Sequence, residues 1–571
     1  MEQELKRYRV FEAGLILAFS LIIIFSFKLQ IFEGKKYYRL AEENRIKKKY
    51  IMAPRGKIFD RNGKEIANTR PGFYASIIPA LIDSFTIEKL AQILNIDKSR
   101  IIAKINLEKN PYVSLKIAHD ITIAQLSLLE ESIEELRGIE VGVEPLRNYP
   151  YNELFSHALG YVDEITKEEI KNLPSYKTGD YIGRSGLEKV YESHLKGKDG
   201  IEYIEVDVRG KEVGRLSEYR PLPVEPGKDL WTTLDLELAE STAVFMKEYE
   251  RGAAVAFNPQ NGEVYLLFSK PVFDPNKFIS GLSDSEWQAL NNPKVAPLLN
   301  RATMSCYPIG STIKPFIALA ALDANLIKVE KTFSPCKGVY YLGKRPFRCW
   351  KIHGQLSLID AIINSCDIYF YQLGRFIGID IIAEYLNKFG FGKETGIDLI
   401  PENRGILPDR KWFENKYGKN WTEGHIFNLS IGQGDILATP LQLACAYSVF
   451  ANDGKIAIPH LTKIDRKQKR EILIDKKAVE TIKKALSGVV ARGTGVLARV
   501  LDIEICGKTG TAENPHGEDH SIFVGFAPAQ NPEILVCVIV ENAGHGGSIA
   551  APIAGKIIKT FLLKNKLITV K

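Results

Sequence analysis

The chain has 571 residues, too many for one hydrophobic core, so two or three domains are expected. Its hydrophobic content of 45% and charged content of 25% are ordinary for globular protein. The formal net charge of +7 is small for this length, which is compatible with an anionic membrane surface or an acidic polymer and gives no reason to expect nucleic acid as a partner.

The N-terminal part contains an apolar run over residues 10–32, with ILAFSLIIIFSF at its centre. About 20 such residues span a bilayer, and the run is too long for a removable signal and has no small-residue cleavage site. Lys6, Arg7 and Arg9 precede it, so the positive-inside rule predicts a cytoplasmic tail over residues 1–9. We predict a single-pass anchor with the rest of the chain outside the membrane; the alternative is a buried helix.

Residues 33–225 mix short strands with helical patches, and residues 60–63 read as a tight turn between two short strands. His157 and Glu188 stand out there, but a satisfied structural histidine and a helix-surface or capping glutamate are the preferred interpretations. The proline-rich RPLPVEPG at residues 220–227 marks the best domain boundary, which predicts a second domain over residues 226–571.

The second domain opens with a predicted β-hairpin over residues 252–269, whose strands join around residues 258–262. Helical patterns then dominate as far as Gly488, and the last 70 residues alternate strands before an amphipathic helix over residues 551–562. Strands at both ends with helices between them predict an α+β or α/β sandwich, in which a helical insertion interrupts one sheet, rather than a Rossmann fold; we adopt α+β.

The stretch YPIGSTIKPF, residues 307–316, carries the first chemical signal. Ser311 is predicted at the start of a helix that runs to about residue 326, and Lys314 lies three residues on, on the same face. Pro315 is tolerated only near a helix start. A serine hydroxyl needs an adjacent base, and a desolvated lysine can supply it. The alternative is a helix cap beside a solvated lysine.

Two later motifs decide between these readings. NSCD, residues 364–367, offers the Ser365 hydroxyl and the Asp367 carboxylate, and CGKTGTAE, residues 506–513, offers the Lys508 cation. Acyl transfer from a substrate with a terminal carboxylate needs a nucleophile, a base, a proton relay, an anion-binding cation and oxyanion donors. SxxK, SxD and KTG, in that order, supply all five.

These motifs resemble the signature of serine acyltransferases of the penicillin-binding and β-lactamase group. The chain resembles the class B penicillin-binding proteins over nearly its whole length. The segments that carry the resemblance are RGKIFDRNGKEIA, RNYP, GLEKVYE, NRATMSCYPIGSTIKP, GIDLIPENRGILP, LSIGQGDILATPLQLA, VVARGTG and GKTGTAE. Within the class the chain is most similar to the elongation-type members, because of CKGVYYLGKRPFRCWKIHG and SCDIYFYQLG; a division-type role is the alternative.

The resemblance implies an elongated, dimerisation-like pedestal over residues 33–225 and a transpeptidase domain with an antiparallel sheet and a helical subdomain over residues 226–571. It implies that Ser311 attacks the D-Ala–D-Ala carbonyl of a peptidoglycan stem peptide, that Lys314 takes its proton, and that Ser365 relays a proton to the leaving D-alanine. An amine of a neighbouring stem then resolves the acyl-enzyme into a 4,3-type cross-link.

The KTG motif carries the rest of the implied site. Lys508, Thr509 and Thr511 hold the substrate carboxylate, and Gly510 permits close approach of backbone. The backbone N–H groups of Ser311 and Thr511 form the oxyanion hole. β-Lactams acylate the same serine, and the chemistry requires no cofactor.

Asp367 departs from the general pattern, because most of the superfamily has asparagine at this position. An amide both donates and accepts hydrogen bonds, whereas an ionised carboxylate only accepts. Asp367 is therefore expected to pair with Lys314 or with a backbone donor rather than to donate to the substrate.

Four residues suggest a metal site. Cys336, Cys349, His353 and Cys366 are separated by twelve, three and twelve residues, and three thiolates with one imidazole match a closed structural zinc site. Cys366 lies inside the SxD motif, so a metal would fix the wall that presents Ser365. The alternative is a Cys336–Cys349 disulfide with the other two residues unrelated.

The resemblance also implies partners: peptidoglycan stem peptides, β-lactams, a cell-elongation glycosyltransferase and other membrane proteins of the elongation complex. It places the anchor in the cytoplasmic (inner) membrane and the bulk of the chain on the extracytoplasmic side. Two readings compete with the enzyme. One is a penicillin-responsive receptor, which would need several anchors and a cytoplasmic signalling domain; the other is chiefly an activator of a polymerising partner, with residues 50–225 as its interaction pedestal.

Overall fold

The computed structural model describes residues 1–565 except 109, 113, 207–211, 217–218, 464–468 and 516. The chain divides into two compact units that alternate along the sequence. The first contains Met1–Arg55, Pro71–Leu146 and Lys196–Gly227, and the second contains Gly56–Arg70, Arg147–Leu195 and Lys228–Lys571.

The α-helices are α1 Glu2–Phe27, α2 Gly34–Arg45, α3 Ser84–Leu94, α4 Lys98–Leu107, α5 Ile123–Glu131, α6 Ser156–Leu159, α7 Lys167–Ile170, α8 Gly186–Val190, α9 Glu192–Leu195, α10 Leu236–Phe245, α11 Asn276–Ser280, α12 Asp284–Leu290, α13 Lys314–Asp323, α14 Leu358–Ile363, α15 Asp367–Lys388, α16 Arg410–Tyr417, α17 Glu423–Ser430, α18 Pro440–Ala451, α19 Lys476–Arg492 and α20 Ala550–Lys564. The strands are β1 Ile46–Ile51, β2 Ile58–Phe59, β3 Glu65–Ile77, β4 Leu115–Ile121, β5 Ile139–Asn148, β6 Val162–Glu164, β7 Tyr181–Gly183, β8 Gly200–Val206, β9 Glu212–Arg215, β10 Leu230–Trp231, β11 Gly252–Phe257, β12 Val264–Lys270, β13 Val339–Leu342, β14 Arg345–Arg348, β15 Lys455–Ala457, β16 Lys469–Glu471, β17 Cys506–Ala512, β18 His520–Ala527 and β19 Ile534–Val540.

The first unit begins with an exposed apolar segment. Helix α1 continues into a π-helical turn at Lys28–Phe32, and the segment Leu5–Phe32 is long and apolar enough to cross a membrane. None of its most apolar window is buried against protein. Among the described residues it is the one helix of this kind, which fits the predicted single-pass anchor.

A small core closes the rest of the first unit. Helices α3, α4 and α5 pack their apolar faces on the sheet formed by β3, β4 and β5. Side-chain caps start each helix: Asp83 and Asp97 accept backbone N–H groups at α3 and α4, and Thr122 forms a capping box at α5. Strands β1, β8 and β9 form a separate antiparallel sheet.

The second unit is organised around a five-stranded antiparallel sheet in the order β12-β11-β19-β18-β17. Its central strand β19 is buried at every position, because helices cover both faces. Helices α10 and α20 lie together, with α20 on β18 and β19, while α18 packs on β11 and β19 and α19 packs on β17. Strand β17 carries the KTG motif and forms one edge of the sheet.

This sheet confirms the predicted α+β fold, since two strands come from the start of the domain, three come from its end, and helices lie between them. The predicted hairpin is β11 and β12, and the closing helix is α20. The predicted start of the helix at Ser311 is wrong. Residues Gly310–Ile313 form a 3₁₀ turn, and α13 begins only at Lys314, with Pro315 in its first turn, and ends at Asp323.

A buried polar cluster joins distant segments of the second unit. Arg147 donates from Nε to Glu188 Oε1 at 2.6 Å and from Nη1 to the Gly56 carbonyl at 2.6 Å, and the Tyr149 hydroxyl also reaches Glu188. Glu188 is fully buried, so the prediction of a surface or capping glutamate is wrong. His157 is structural as predicted: its Nε2 lies 2.8 Å from the Pro297 carbonyl.

Candidate active site

The turn that carries Ser311 lies against strand β17. Gly310 has φ +53°, and a Cβ at this position would lie 2.4 Å from the Thr511 carbonyl oxygen. Gly510, on the strand, is also close to the turn, because its Cβ would lie 2.8 Å from the Ile309 carbonyl oxygen. Glycines on both sides therefore bring Ser311 next to the backbone of Thr511. Ser311 itself is partly exposed, so a substrate can reach it.

The Lys314 side chain is fully buried behind this turn. Its Nζ donates to the Ser365 carbonyl at 2.8 Å, to Ser365 Oγ at 3.3 Å and to Asp367 Oδ1 at 2.6 Å. These three acceptors fix the amine, and one of them is a carboxylate, which makes that hydrogen bond charge-assisted. The structure thus shows Asp367 paired with Lys314, as its chemistry predicted.

Ser365 lies in the tight link between α14 and α15, with φ +52°. A serine rarely adopts this left-handed conformation, which costs about 1 kcal/mol or more. Backbone hydrogen bonds hold it there: Ser365 N donates to Ile362 O, and Cys366 N to Ala361 O. The result is that Ser365 Oγ lies between two lysines, 3.3 Å from Lys314 Nζ and 2.9 Å from Lys508 Nζ.

Lys508 projects from β17 and is fully buried. Burial lowers the pKa of Lys508 well below the usual 10.5, the Lys314 ammonium lowers it further, and the Asp367 carboxylate opposes both effects. Within the described residues its amine has only neutral acceptors, Ser365 Oγ and the Thr509 carbonyl at 3.1 Å. An arriving carboxylate would supply the missing counter-charge.

Gln433 and Thr494 belong to the site but were not singled out from the sequence. Gln433 Nε2 donates to the Thr511 carbonyl at 2.9 Å, and Thr494 Oγ1 lies 2.6 Å from Thr509 Oγ1. In a strand the N–H and C=O of one residue point to the same side. The Thr511 N–H therefore points to the open edge of β17, towards Ser311. Both residues lie in segments that carried the family resemblance, IGQG and RGTG, which was the available signal.

The four predicted metal ligands are brought together. One ligand atom each from Cys336, Cys349, His353 and Cys366 lies within 4.8 Å of the others. His353 Nδ1 is 3.6 Å from Cys336 Sγ and 3.5 Å from Cys349 Sγ. Tetrahedral zinc with ordinary Zn–S and Zn–N bonds separates sulfur from nitrogen by about 3.6 Å, so the donor set and the two sulfur–nitrogen distances at His353 fit a zinc ion. The structure has no bond between the Cys336 and Cys349 sulfurs, which the alternative disulfide would require.

The cysteine cluster and its neighbour Trp350 contact the segment that presents Ser365. The Asp367 backbone N–H donates to Cys349 Sγ at 3.3 Å, and the Trp350 indole donates to the Asn364 carbonyl at 3.2 Å. The hydrogen bond between the Cys366 and Cys349 thiols lowers the pKa of Cys349 and raises the pKa of Cys366, so Cys349 is the one of the two that becomes a thiolate more readily. The segments on both sides of Ser365 are therefore anchored to the cysteine cluster.

Comparisons with known proteins identify the family of the chain. The family model for the penicillin-binding protein transpeptidase domain matches residues 252–559, and that for the penicillin-binding protein dimerisation domain matches residues 50–232. The peptidoglycan D,D-transpeptidase MrdA of Acinetobacter baumannii is 34% identical over 609 residues, covering 99% of this chain and 89% of the relative.

Solved structures of related proteins have a similar fold. The penicillin-binding protein PBP2 of Helicobacter pylori, solved in complex with MreC, has a TM-score of 0.82 at 28% identity, covering 92% of this chain and 100% of that chain. A chain from a peptidoglycan synthase complex, described for its structural coordination of polymerization and crosslinking, has a TM-score of 0.72 at 27% identity, covering 97% of this chain and 98% of that chain. The chain therefore belongs to the penicillin-binding proteins, among the class B transpeptidases of the elongation type.

Proposed function

We propose that the chain cross-links peptidoglycan stem peptides during cell-wall elongation with Ser311 as the acyl-enzyme nucleophile. Its family makes it a serine-type D-Ala–D-Ala transpeptidase and a target of β-lactams. The observation that carries the residue assignment is the convergence of two buried lysines, Lys314 and Lys508, on the Ser365 hydroxyl beside the Ser311 turn. Such a pair is costly to bury without a chemical use.

Acylation begins when Ser311 Oγ attacks the carbonyl carbon of the penultimate D-alanine. Lys314 takes the hydroxyl proton in its neutral amine form, and Asp367 orients the amine and stabilises the ammonium that results through the 2.6 Å hydrogen bond. The negative charge that develops on the carbonyl oxygen is stabilised by the backbone N–H groups of Ser311 and Thr511. The peptide C–N bond then breaks: Ser365 passes its hydroxyl proton to the nitrogen of the departing D-alanine and takes the proton held by Lys314, 3.3 Å away, which leaves Lys314 neutral again.

Lys508 binds the terminal carboxylate of the donor, with the Thr509 and Thr511 hydroxyls beside it. An amine from a neighbouring stem next attacks the ester carbonyl. The new amide forms and the Ser311 C–O bond breaks, while the proton lost by the attacking amine passes through Lys314 to the Ser311 oxygen. The same donor groups would hold the carboxylate of a β-lactam, whose ring carbonyl takes the place of the scissile peptide.

Labelling with a fluorescent penicillin tests the nucleophile. Wild type should be labelled, Ser311→Ala should show no label, and Ser365→Ala should be labelled slowly, because a proton relay typically contributes a factor of about 10² to 10⁴. Ser305→Ala, six residues upstream of the nucleophile, is the matched control and should be labelled like wild type. Label that persists on Ser311→Ala would refute the assignment.

We also propose that Cys336, Cys349, His353 and Cys366 hold a structural Zn²⁺. The support is the mutual approach of the four donor atoms and the fit of their spacing to tetrahedral zinc. The metal would contribute no step to catalysis; it would fix the segment between Cys349 and Asp367 that presents Ser365. Metal analysis of purified protein should find one zinc per chain. A chelator, or Cys336→Ser, should remove the zinc and lower the melting temperature, whereas Cys306→Ser should do neither.

We further propose a partner for the chain and an orientation for its membrane anchor. The relatives whose structures match were solved with MreC and in a complex that polymerises and cross-links peptidoglycan, which supports an elongation-complex glycosyltransferase as the partner of this chain. Residues 10–32, within the apolar segment Leu5–Phe32, would anchor the chain in the cytoplasmic membrane, with Lys6, Arg7 and Arg9 on its cytoplasmic side. Ser311→Ala should lose cross-linking while the partner continues to polymerise.

A further inference from the structure

A polar pocket of about 230 Å³ lies beside the catalytic strand, in the second unit. Its lining includes Arg345 on β14, His425 and Asn428 on α17, and the loop residues Gln433 and Asp435. The proposed chemistry uses none of these side chains. Gln433 connects the pocket to the active site, because its amide donates to the Thr511 carbonyl at 2.9 Å and accepts from the Glu513 N–H at 3.3 Å.

These two hydrogen bonds define where the pocket lies relative to a substrate. Lys508, at the start of β17, is the proposed carboxylate site, and Thr511 is the proposed oxyanion donor. Glu513 follows the strand on the side away from Lys508. A peptide whose C-terminus sits at Lys508 and whose carbonyl sits at Ser311 would therefore extend along the strand edge past Gln433, to the pocket.

Two groups in the pocket are available to a ligand. Within the part of the chain that the structure describes, Arg345 has no ion pair and no side-chain hydrogen bond; its guanidinium stacks 5.1 Å above the Phe347 ring. The Asn428 side chain likewise has no hydrogen bond there. The acidic group of the pocket, Asp435, is already neutralised by Lys416 and the Tyr417 hydroxyl at 2.8 Å. The pocket therefore offers a preorganised cation and an amide to an anion.

The surface around the pocket is positively charged, like Arg345 within it. No aspartate or glutamate occurs between Lys331 and Ile359, a stretch that includes the hairpin of β13 and β14. Its exposed cations, which pair with no carboxylate among the described residues, are Lys337, Lys344, Arg348 and Lys351. The hairpin is attached to α15, the helix that follows Ser365, because the Tyr371 hydroxyl on α15 donates to the Arg348 carbonyl at 3.0 Å. A fixed positive surface of this kind raises the local concentration of an anionic polymer.

We propose that the Arg345 pocket is a subsite for a side-chain carboxylate of a peptidoglycan stem peptide, with Arg345 forming the ion pair and Asn428 donating a hydrogen bond. The inference rests on the proposed transpeptidase function and adds to it a second point of substrate recognition. The carboxylate belongs either to the donor stem, upstream of the scissile bond, or to the acceptor stem. Both stems would present a carboxylate to the pocket. The rates of acyl-enzyme formation and of aminolysis distinguish the two.

The test compares stem peptides that differ only in whether the side-chain carboxylate is free or amidated. Wild type, Arg345→Ala, Arg345→Lys and Lys337→Ala are assayed in full-length form. Lys337→Ala is the matched control, because Lys337 is an exposed cation of the same stretch that does not line the pocket. Melting temperature and penicillin labelling verify the fold and the serine centre of each variant.

Wild type should prefer the free carboxylate by about tenfold, the usual worth of a charged hydrogen bond. Arg345→Ala should abolish this preference, Arg345→Lys should restore part of it, and Lys337→Ala should keep it. A preference seen in formation of the acyl-enzyme assigns the pocket to the donor, and one seen only in its aminolysis assigns it to the acceptor. Equal preference in wild type and Arg345→Ala overturns the subsite but leaves the transpeptidase intact. Failure of wild type to form an acyl-enzyme from any peptide overturns both.

Discussion

Lys314 Nζ lies 2.6 Å from Asp367 Oδ1, and the two residues begin two different helices, α13 and α15. Lys314 is fully buried, and Asp367 is 15% exposed. In this chain a carboxylate rather than an amide therefore faces the proposed base. A carboxylate can only accept, so it holds the amine by charge and leaves donation towards the substrate to other groups.

Asp367→Asn should slow acylation by penicillin about tenfold at neutral pH. The substitution replaces a charge-assisted hydrogen bond, worth about 1.5–3 kcal/mol, with a neutral one of roughly half that strength. Stopped-flow measurement of the second-order acylation constant between pH 5 and pH 10 checks this. Asp380→Asn, which breaks only the exposed ion pair between Asp380 and Arg410, is the control and should acylate normally. Wild-type rates for Asp367→Asn at every pH would show that the carboxylate is not needed.

Gly310→Ala should reduce acylation about 100-fold. A Cβ at this position would meet the Thr511 carbonyl at 2.4 Å, which forces Ser311 away from the strand, and a displacement of about 1 Å costs roughly that factor. Gly343→Ala separates the clash from backbone strain. Gly343 has a similar φ of +59°, but no atom lies within 4 Å of its Cβ position, so this variant should lose a little stability and no acylation. Equal loss in both variants would contradict the packing argument.

The sequence was sufficient for residues whose chemistry depends on short spacing. Ser311 and Lys314 are three residues apart, and the hairpin of β11 and β12 has its own turn signal, so local pattern predicted both. The predicted helix start at Ser311 failed because 3₁₀ and α turns share the same pattern over four residues. Packing of the turn against β17 determines that it is 3₁₀ rather than α-helical, and this long-range contact cannot be predicted from the local sequence.

Residues paired over long separations could not be predicted. Glu188 reads as a helix-surface residue, yet it is buried because Arg147, 41 positions earlier, reaches it. Gln433 is 78 positions from Thr511, whose carbonyl it binds. Nothing in a single sequence indicates that two positions so far apart are in contact. The fold is therefore needed to show which polar side chains are buried together.

Acylation by penicillin should decline on the alkaline side with an apparent pKa below the ordinary 10.5 of lysine. Burial and the Lys314 ammonium lower the pKa of Lys508, so its ammonium is lost at a lower pH than usual. A substrate carboxylate binds the protonated form, and binding therefore weakens as pH rises through that pKa. A penicillin methyl ester, which lacks the carboxylate, should not show this decline. An equal decline for acid and ester would assign it to another group.

His157 should make the second unit sensitive to acid. Burial lowers the pKa of His157 to about 4 from 6.5, so between these values the unfolded chain binds the proton more readily than the folded chain. Stability is fully present above pH 6.5 and is lost as pH falls to about 4, by about 3 kcal/mol at most. Thermal denaturation of wild type and His157→Gln across this range measures the difference. A stability difference that does not change with pH would contradict the assignment.

The central claim is that Ser311 is the nucleophile of a cross-linking reaction. The most direct measurement is the cross-link content of peptidoglycan made in membranes that contain the chain and a polymerising partner, with wild type compared with Ser311→Ala. Wild type should yield cross-linked muropeptides of the 4,3 type, and Ser311→Ala should yield polymer without them at the same protein level. Cross-links of undiminished amount with Ser311→Ala, in the absence of any other transpeptidase, would contradict the account.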